Sequence, residues 1–283
     1  MQSVDPNELV ALLKPQMEFV ADLAVRRQLD TETFYKPPSA DEPAGQEEDR
    51  RARVGVLSQV DLEIQELLLR FILEHWPFVS VMAEETTESR ARFSEGREDW
   101  ILLDPIDGTR NYLHGTSAFC HIVALMKGIE MVASLVYSQT SRRLYTAVAG
   151  EGAMAWPPGG EPRKVDIVAK EGRTLLHHVS RVPAPLLAQL ESRRYAVSSS
   201  SQNATDIVGM LEGGVAGFIS VSPIVYDVWA PGMIVREAGG WLSDWQGRAP
   251  VFRGRLRVPH LLVSRSEEDA RELLPSLAQY AAS

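Results

Sequence analysis

Three consecutive apolar segments, joined by short turns, constrain the fold of this chain more than any other feature. They cover residues 118–127, 130–138 and 142–149, and the turns lie at Lys127-Gly128 and at residues 139–141. Segments of this length and spacing are typical of strands that follow one another in an antiparallel sheet. The middle of the chain is therefore predicted to form a β-meander.

Two helices are predicted before the meander. In the first, Asp5 can cap the helix, Pro6 suits its first turn, and apolar residues recur at helical spacing from Leu9 to Val25. The second helix extends from about Asp61 to His75. The first half of the chain is thus predicted to be of the α+β type.

Strand-like and helical segments alternate after Gly150. The strand-like segments lie near residues 174–180, 194–198, 215–221, 241–244 and 260–264, and the helical segments near 184–192, 203–211, 228–238 and 266–279. Such alternation favours an α/β arrangement in layers. We therefore expect an N-terminal half over residues 1–150 and a C-terminal half over residues 151–283, packed as a single compact unit.

Acidic residues outnumber basic ones in this chain, which has 283 residues and a net charge of −9. Without a basic surplus the protein is not expected to bind a nucleic-acid polymer or an anionic membrane surface. A phosphorylated ligand would need local hydrogen-bond donors or a metal ion. Cys120 is the only cysteine, so neither an intrachain disulfide nor a cluster of thiolate ligands is possible.

Two further features bear on mobility and location. Residues 37–53 are rich in proline and charge and are predicted to form a long mobile loop. Residues 1–8 lack the basic segment and apolar run of a secretory signal. Elsewhere no apolar run approaches the roughly 20 residues that span a bilayer. The protein is therefore predicted to be soluble and cytoplasmic.

The stretch Trp100–Thr109, with the sequence WILLDPIDGT, carries the strongest functional signal. An apolar strand leads to Asp104, and Asp107 follows after the bend that Pro105 introduces. Two carboxylates that point into one cavity repel each other unless a cation neutralises them, and their oxygens suit Mg²⁺. The backbone N–H groups of Gly108-Thr109, at a helix start, could hold a phosphate oxygen. The alternative is a simple loop with a helix cap, because Asp-Pro and Asp-Gly are common turn dipeptides.

Two other acidic positions favour the metal interpretation. Glu84 and Glu85 end a predicted strand over residues 79–83, which is a poor place for paired acids unless they face solvent or a cation. Asp227 stands at the predicted start of an apolar helix that ends at Gly239-Gly240. Read alone, Asp227 can equally be a helix N-cap.

Taken in order, the segments A-E-E, W-I-L-L-D-P-I-D-G-T and Y-D-V-W-A-P-G-M-I-V-R-E-A-G-G resemble the inositol monophosphatase family of lithium-sensitive, Mg²⁺-dependent phosphatases. The similarity extends from about Leu57 to Ser264. The resemblance implies a layered α-β-α-β-α sandwich of the sugar-phosphatase type and a homodimer. It also implies that a metal-activated water hydrolyses a small phosphorylated metabolite, with two or three Mg²⁺ ions per site.

The resemblance also implies a role for individual residues of this chain. The implied metal ligands are Glu84, Asp104, the carbonyl of Ile106, Asp107 and Asp227. The implied catalytic residues are Glu84, Thr109, which orients the attacking water, and Asp61, which acts through metal-bound water. The implied substrate-binding residues are Gly108, Thr109, Ser220 and Asp227. Most of the metal ligands therefore fall in the half over residues 1–150.

Several positions depart from the family pattern without removing an implied metal ligand. Ser220 stands where inositol phosphatases carry an acidic residue that contacts the sugar hydroxyls, and Gln65 replaces a glutamate. These departures argue against inositol 1-phosphate as the specific substrate. The resemblance implies a wider set of candidates, which are inositol phosphates, sugar phosphates, histidinol phosphate and nucleoside 3′,5′-bisphosphates. The alternative function is a catalytically silent relative that binds a phosphorylated metabolite or a protein partner.

Two other sets of polar residues are candidates for a functional role. The possible acid/base groups are His114, His121, His177 and His178. His177-His178 lies in a strand-like run, which favours a surface or core position over catalysis. The arginine cluster Arg253, Arg255 and Arg257 is interpreted as a solvated face rather than a phosphate site.

Overall fold

The structure is a computed structural model, and it describes residues 2–35, 56–167, 173–178, 182–200, 202–213 and 215–281. The loop predicted over residues 37–53 lies outside these described residues.

Seven α-helices lie in the described residues. In chain order they are α1 (Pro6–Arg27), α2 (Gln59–His75), α3 (Thr109–Leu113), α4 (Ala184–Ser192), α5 (Asn203–Gly209), α6 (Val225–Glu237) and α7 (Glu267–Leu277). The two predicted N-terminal helices correspond to α1 and α2. At the start of α1 the Asp5 carboxylate accepts hydrogen bonds from the backbone N–H groups of Asn7 (2.8 Å) and Glu8 (3.0 Å), which confirms Asp5 as the cap.

The first two sheets take their strands from residues 33–165, so the larger one extends past residue 150. A two-stranded sheet pairs β1 (Thr33–Tyr35) with β2 (Val56–Ser58). A seven-stranded sheet has the spatial order β3 (Ser80–Ala83), β4 (Asp99–Asp107), β5 (Cys120–Lys127), β6 (Glu130–Ser138), β7 (Arg143–Val148), β8 (Gly152–Trp156) and β9 (Arg163–Val165). Strands β3 and β4 are parallel, and all other neighbours in this sheet are antiparallel. The predicted meander is therefore confirmed as β5, β6 and β7.

A five-stranded sheet follows in the C-terminal part. Numbered in chain order, its strands are β10 (Thr174–His178), β11 (Ala196–Ser200), β12 (Val215–Ser220), β13 (Trp241–Asp244) and β14 (Leu261–Ser264). Their spatial order is β11-β10-β12-β14-β13. Strand β10 pairs in parallel with β11 and β12, whereas β14 pairs antiparallel with β12 and β13.

Helices and sheets alternate in five layers. Helices α1 and α2 cover one face of the seven-stranded sheet, and α5 and α6 fill the space between the two large sheets. Helices α4 and α7 cover the outer face of the five-stranded sheet. This confirms the predicted α-β-α-β-α sandwich, in which burial of both sheet faces explains the long apolar strands. None of the helices in the described residues is long and apolar enough to cross a membrane.

Helix α6 begins earlier than its sequence pattern predicts. It starts at Val225 rather than near residue 228, and the residue before it, Ile224, makes no side-chain cap. Val225 and Tyr226 are buried between the two large sheets, so tertiary packing adds them to the helix. Asp227 therefore lies within the first turn, and the alternative interpretation of Asp227 as the N-cap is wrong.

Candidate active site

Three aspartate side chains converge where β4 ends and α6 begins. Asp104 and Asp107 belong to the last part of β4, and Asp227 lies in the first turn of α6. One carboxylate oxygen of each lies within 4.8 Å of the others. Pairing between β4 and β5 is irregular from Asp104 to Asp107, and this bulge lets both carboxylates turn toward Asp227. Asp104 is buried, whereas the other two stay partly accessible to a ligand.

Loss of solvent and mutual repulsion raise the pKa values of these carboxyl groups. Burial raises the pKa of Asp104 well above its usual range, and neighbouring carboxylates, Glu84 first, raise it further. Burial raises the pKa of Asp107 to about 7, although the backbone N–H of Ala204 donates a 2.9 Å hydrogen bond to it. The pKa of Asp227 is also well above its usual range, again mainly through burial. A cation would remove this unfavourable repulsion.

The donor atoms at this site fit Mg²⁺. They are carboxylate oxygens, with no nitrogen or sulfur atom in the group of three, and hard oxygen ligands are what Mg²⁺ prefers. Glu84 adds a fourth carboxylate, because it follows β3, donates its N–H to the carbonyl of Leu103 (3.0 Å) and hydrogen-bonds through its side chain to Asp104. The structure therefore brings together all four acidic residues implied as metal ligands.

A second group of polar side chains lies next to the carboxylates. The Thr109 hydroxyl is 3.2 Å from Oδ1 of Asp61 and 3.1 Å from the carbonyl oxygen of Ile106. The other carboxylate oxygen of Asp61 accepts hydrogen bonds from both the hydroxyl and the backbone N–H of Ser58, which caps α2. Asp61 and Ser58 are fully buried. The pair Asp61–Thr109 is thus held rigidly by the start of α2.

Gly108 determines how the chain turns from β4 into α3. Its φ of +99° is in the left-handed region, and a Cβ atom at this position would lie 2.9 Å from the carbonyl oxygen of Ala118. Only glycine fits this position without strain. It allows α3 to begin at Thr109, directly beside the carboxylates, as the sequence predicts.

Ser220 has a weaker connection to the three aspartates than the other candidate residues have. It is the last residue of β12, is buried, and lies opposite Leu261 in the antiparallel pairing. Within the described part of the chain, its hydroxyl makes no hydrogen bond to the three aspartates.

Gln65, which departs from the family pattern, supports the segment that carries Glu84. Its side-chain amide donates to the carbonyl of Glu85 (2.7 Å) and accepts from the N–H of the same residue (2.8 Å). This clamp fixes the segment in which Glu84 lies. The neutral amide both donates and accepts here, which an ionised carboxylate cannot do, and no short sequence pattern links two residues that are 20 positions apart.

Two more contacts at the site were not predicted. At the start of α5, Nδ2 of Asn203 lies 3.4 Å from a carboxylate oxygen of Asp227. The backbone N–H of the next residue, Ala204, donates a hydrogen bond to the carboxylate of Asp107. His121, on β5, hydrogen-bonds through Nδ1 to the carbonyl of Pro105. Burial lowers the pKa of His121 to about 4, so its ring is neutral near pH 7 and Nδ1 is the donor. His121 therefore supports the bulge in β4 and is no acid or base at neutral pH.

Comparison with known proteins decides the family. The sequence profile of the inositol monophosphatase family matches residues 31–282, which is most of the chain. This chain belongs to the inositol monophosphatase family. As a member of it, the protein is a phosphoric monoester hydrolase, and the predicted family and enzyme class are both confirmed.

Relatives of this family member are moderately similar over most of its length. The inositol-1-monophosphatase of Rhizobium meliloti (strain 1021) is 27% identical, with 68% of this chain and 73% of that protein covered. The fold matches the extragenic suppressor protein suhB from Bartonella henselae, with a TM-score of 0.74, 21% identity and coverage of 95% and 98%. It also matches an IMPase/NADP phosphatase complexed with Mg²⁺ and phosphate, with a TM-score of 0.73, 18% identity and 95% coverage of both chains.

Proposed function

We propose that this protein is a Mg²⁺-dependent phosphomonoesterase whose metal site consists of Glu84, Asp104, the carbonyl of Ile106, Asp107 and Asp227. The observation that carries the proposal is the convergence of three carboxylates within 4.8 Å, with pKa values raised by burial and repulsion. Such a group is stable in its charged form only with a cation. When bound, Mg²⁺ would supply Lewis-acid activation of water and neutralise charge on the phosphate.

The Asp61–Thr109 pair is proposed to orient the attacking water. Ser58 occupies one oxygen of the Asp61 carboxylate, which leaves the other to accept the Thr109 proton at 3.2 Å. With its proton held there, the Thr109 oxygen presents its lone pairs to a water molecule and fixes the direction of the water lone pair. Glu84, which is partly accessible, is proposed to accept a proton from that water.

The substrate is proposed to be a small phosphorylated alcohol. The N–H groups of Gly108 and Thr109 at the start of α3 are the proposed donors to the phosphate. Ser220 and Asp227 are the proposed contacts to the alcohol, and neither makes selection strict, since most of the binding energy goes to the phosphate. Inositol phosphates, sugar phosphates, histidinol phosphate and nucleoside bisphosphates are the proposed candidates. The proposed form of the protein is a homodimer, as the resemblance implies, and its proposed location is the cytoplasm.

Phosphate release from a panel of these esters tests the proposal. The wild type is measured with Mg²⁺ and with a chelator, and is compared with Asp104→Asn and with the exposed control Asp30→Asn. We expect Mg²⁺-dependent release in the wild type and the control, and a loss of at least about 10³-fold in Asp104→Asn. Equal release by Asp104→Asn would refute the metal assignment. No release from any ester by folded wild type with Mg²⁺ bound would favour the catalytically silent alternative.

A further inference from the structure

A pocket beside α1 has no part in the proposed reaction. It has a volume of about 400 Å³ and lies between the second half of α1, the residues before β5 and the turn from β6 to β7. The lining residues that can hold a ligand or shape the space are Asp22, Arg26, Phe119, Tyr137, Gln139 and Arg142. We call this space the α1 pocket.

The α1 pocket is separate from the three aspartates of the proposed active site. Phe119 and Tyr137 pack on the α1 side of the seven-stranded sheet. Asp107 lies opposite Cys120 in the pairing of β4 with β5, and Cys120 packs on the other side of the sheet, where α5 and α6 lie. None of the residues implied as metal ligands, catalytic residues or substrate contacts lines the α1 pocket. A ligand in this pocket would therefore be distinct from the ester at the aspartates.

Two buried polar side chains form part of the pocket wall. Tyr137 and Gln139 are each only 6% exposed. In the described part of the chain the Tyr137 hydroxyl makes no hydrogen bond, and the Gln139 side chain uses only Nε2, which donates to the carbonyl of Ala21 (2.7 Å). Protein atoms enclose neither the hydroxyl nor Oε1 of Gln139, so both can be reached from the pocket. Because buried polar groups nearly always have partners, whatever occupies the pocket must supply them here.

Charges of both signs surround these two groups. Asp22 and Arg26 lie four positions apart on the same face of α1, and Arg142 lies in the turn between β6 and β7. All three side chains are exposed, and no salt bridge joins Asp22 to either arginine in the residues that the structure describes. Burial raises the pKa of Tyr137, Asp22 raises it further and Arg142 lowers it, so charges of both signs act on its hydroxyl.

Side-chain hydrogen bonds fix the loop that closes one side of the α1 pocket. This loop connects α3 to β5. Nε2 of Gln28 donates to the carbonyls of Tyr112 (2.9 Å) and Thr116 (2.8 Å). The hydroxyl of Thr140 donates to the carbonyl of Ser117 (3.0 Å). These bonds hold the loop against α1 and against the turn after β6, so the pocket is preformed, as ligand sites usually are.

We propose that the α1 pocket binds a small zwitterion of the α-amino acid type, which carries one ammonium and one carboxylate group. Asp22 and Oε1 of Gln139 are acceptors for the ammonium. The guanidinium groups of Arg26 and Arg142 are donors to the carboxylate, with charge-assisted hydrogen bonds. The Tyr137 hydroxyl can donate or accept. This binding site lies outside the proposed phosphatase function and does not depend on it.

The mixed charges favour a zwitterion over a simple anion or a simple amine. An anion would have to lie beside the Asp22 carboxylate and the Gln139 amide oxygen, which both repel it. An amine without a carboxylate would lie beside two guanidinium groups. Val25 and Phe119 add apolar surface to the lining, against which the side chain of an amino acid can pack. The volume of about 400 Å³ lies in the range of small-molecule sites.

Isothermal titration calorimetry tests the site with each standard L-amino acid as the probe, on the protein with Mg²⁺. Acetate and methylammonium are the control ligands, because each carries only one of the two charges. We expect at least one amino acid to bind with a Kd of about 1 mM or lower, and both control ligands to bind at least about tenfold more weakly. Failure of every amino acid to bind, or equally tight binding of either control ligand, would overturn the proposal.

Two variants then locate the bound amino acid. Arg142→Gln should weaken the tightest-binding amino acid about tenfold. Its matched control is Arg194→Gln, because Arg194 is also an exposed arginine with a positive φ (+69°, against +52° for Arg142) and should keep the affinity within about twofold.

Tyr137→Phe removes the buried hydroxyl and keeps the ring. We expect it to weaken the same amino acid about fivefold. The melting temperature without ligand should stay within about 2 °C of the wild type, because the hydroxyl has no protein partner to lose. Unchanged affinity in both Arg142→Gln and Tyr137→Phe would overturn the assignment to the α1 pocket. Because only binding is measured, failure of the proposed phosphatase activity would leave this result unaffected.

Discussion

Among single side chains, Thr109 has the position from which a hydroxyl can influence the proposed reaction most directly. Its hydroxyl lies 3.2 Å from the buried Asp61 carboxylate and 3.1 Å from the carbonyl oxygen of Ile106, in the segment that carries two of the three aspartates. The hydroxyl contributes an acceptor for water, whereas the methyl group contributes only packing. These two contributions can be separated by substitution.

Thr109→Val keeps the shape of the side chain and removes its hydroxyl. We expect kcat to fall about 10²-fold with a small change in KM, because the water is no longer oriented. Thr109→Ser retains the hydroxyl and should keep most of the activity. Wild-type kcat in the valine variant, with the same melting temperature, would exclude a role for the hydroxyl.

Gln65→Glu tests the clamp on Glu85. A carboxylate accepts from the N–H of Glu85 but cannot donate to its carbonyl, which then keeps only the hydrogen bond from Nη1 of Arg90 (3.0 Å). The substitution also buries a negative charge, because Gln65 is fully buried. We expect the free energy of unfolding at neutral pH to fall by about 1–3 kcal/mol in urea titrations. The exposed control Gln246→Glu should change it by less than about 0.5 kcal/mol, and an equal change in both would argue against the clamp.

The sequence identifies the charged residues of the candidate site better than the residues that support them. Asp104 and Asp107 are predictable because a strand, a proline bend and a helix start follow one another within ten residues. The contact of Ala204 with Asp107 joins positions 97 residues apart, and it uses a backbone N–H that any residue could supply. Neither Asn203 nor Gln65 belongs to a local pattern with a chemical reason, so only the folded chain brings them to the site.

Between secondary-structure elements, the turn from β4 into α3 depends on Gly108. Gly108→Ala combines a φ of +99° with a Cβ atom placed 2.9 Å from the carbonyl of Ala118. Gly115→Ala provides the matched control, because its φ is +73° but its Cβ would meet nothing within 4 Å. The control should lose about 1 kcal/mol of stability. Gly108→Ala should lose clearly more in thermal denaturation, together with activity, and equal losses would rule out the steric argument.

The order of the strands and helices was predictable because the hydrophobic periodicity of each segment and the turn residues between segments are local features of the sequence. The strands β5, β6 and β7 differ from their predicted ranges by two residues at most. The start of α6 was not predictable, because Val225 and Tyr226 belong to the helix only through their packing between two sheets.

For the molecule as a whole, Mg²⁺ should stabilise the protein more as pH rises. The folded-state pKa of Asp107 is about 7, above its ordinary value of 3.8, so the stability from its proton is lost as pH rises through about 7. Mg²⁺ must displace that proton at low pH and need not at high pH. We expect the gain in melting temperature from saturating Mg²⁺ over chelator to be several degrees larger at pH 8 than at pH 5.5. A gain independent of pH would contradict the raised pKa.

The central claim is that Asp104, Asp107 and Asp227 hold divalent cations. Anomalous diffraction from crystals soaked in Mn²⁺, a scatterer with similar ligand preferences, measures this directly. The account predicts at least one peak at coordination distance from oxygens of all three carboxylates, and its disappearance in Asp104→Asn crystals. Well-ordered carboxylates with no peak between them, at saturating Mn²⁺, would contradict it.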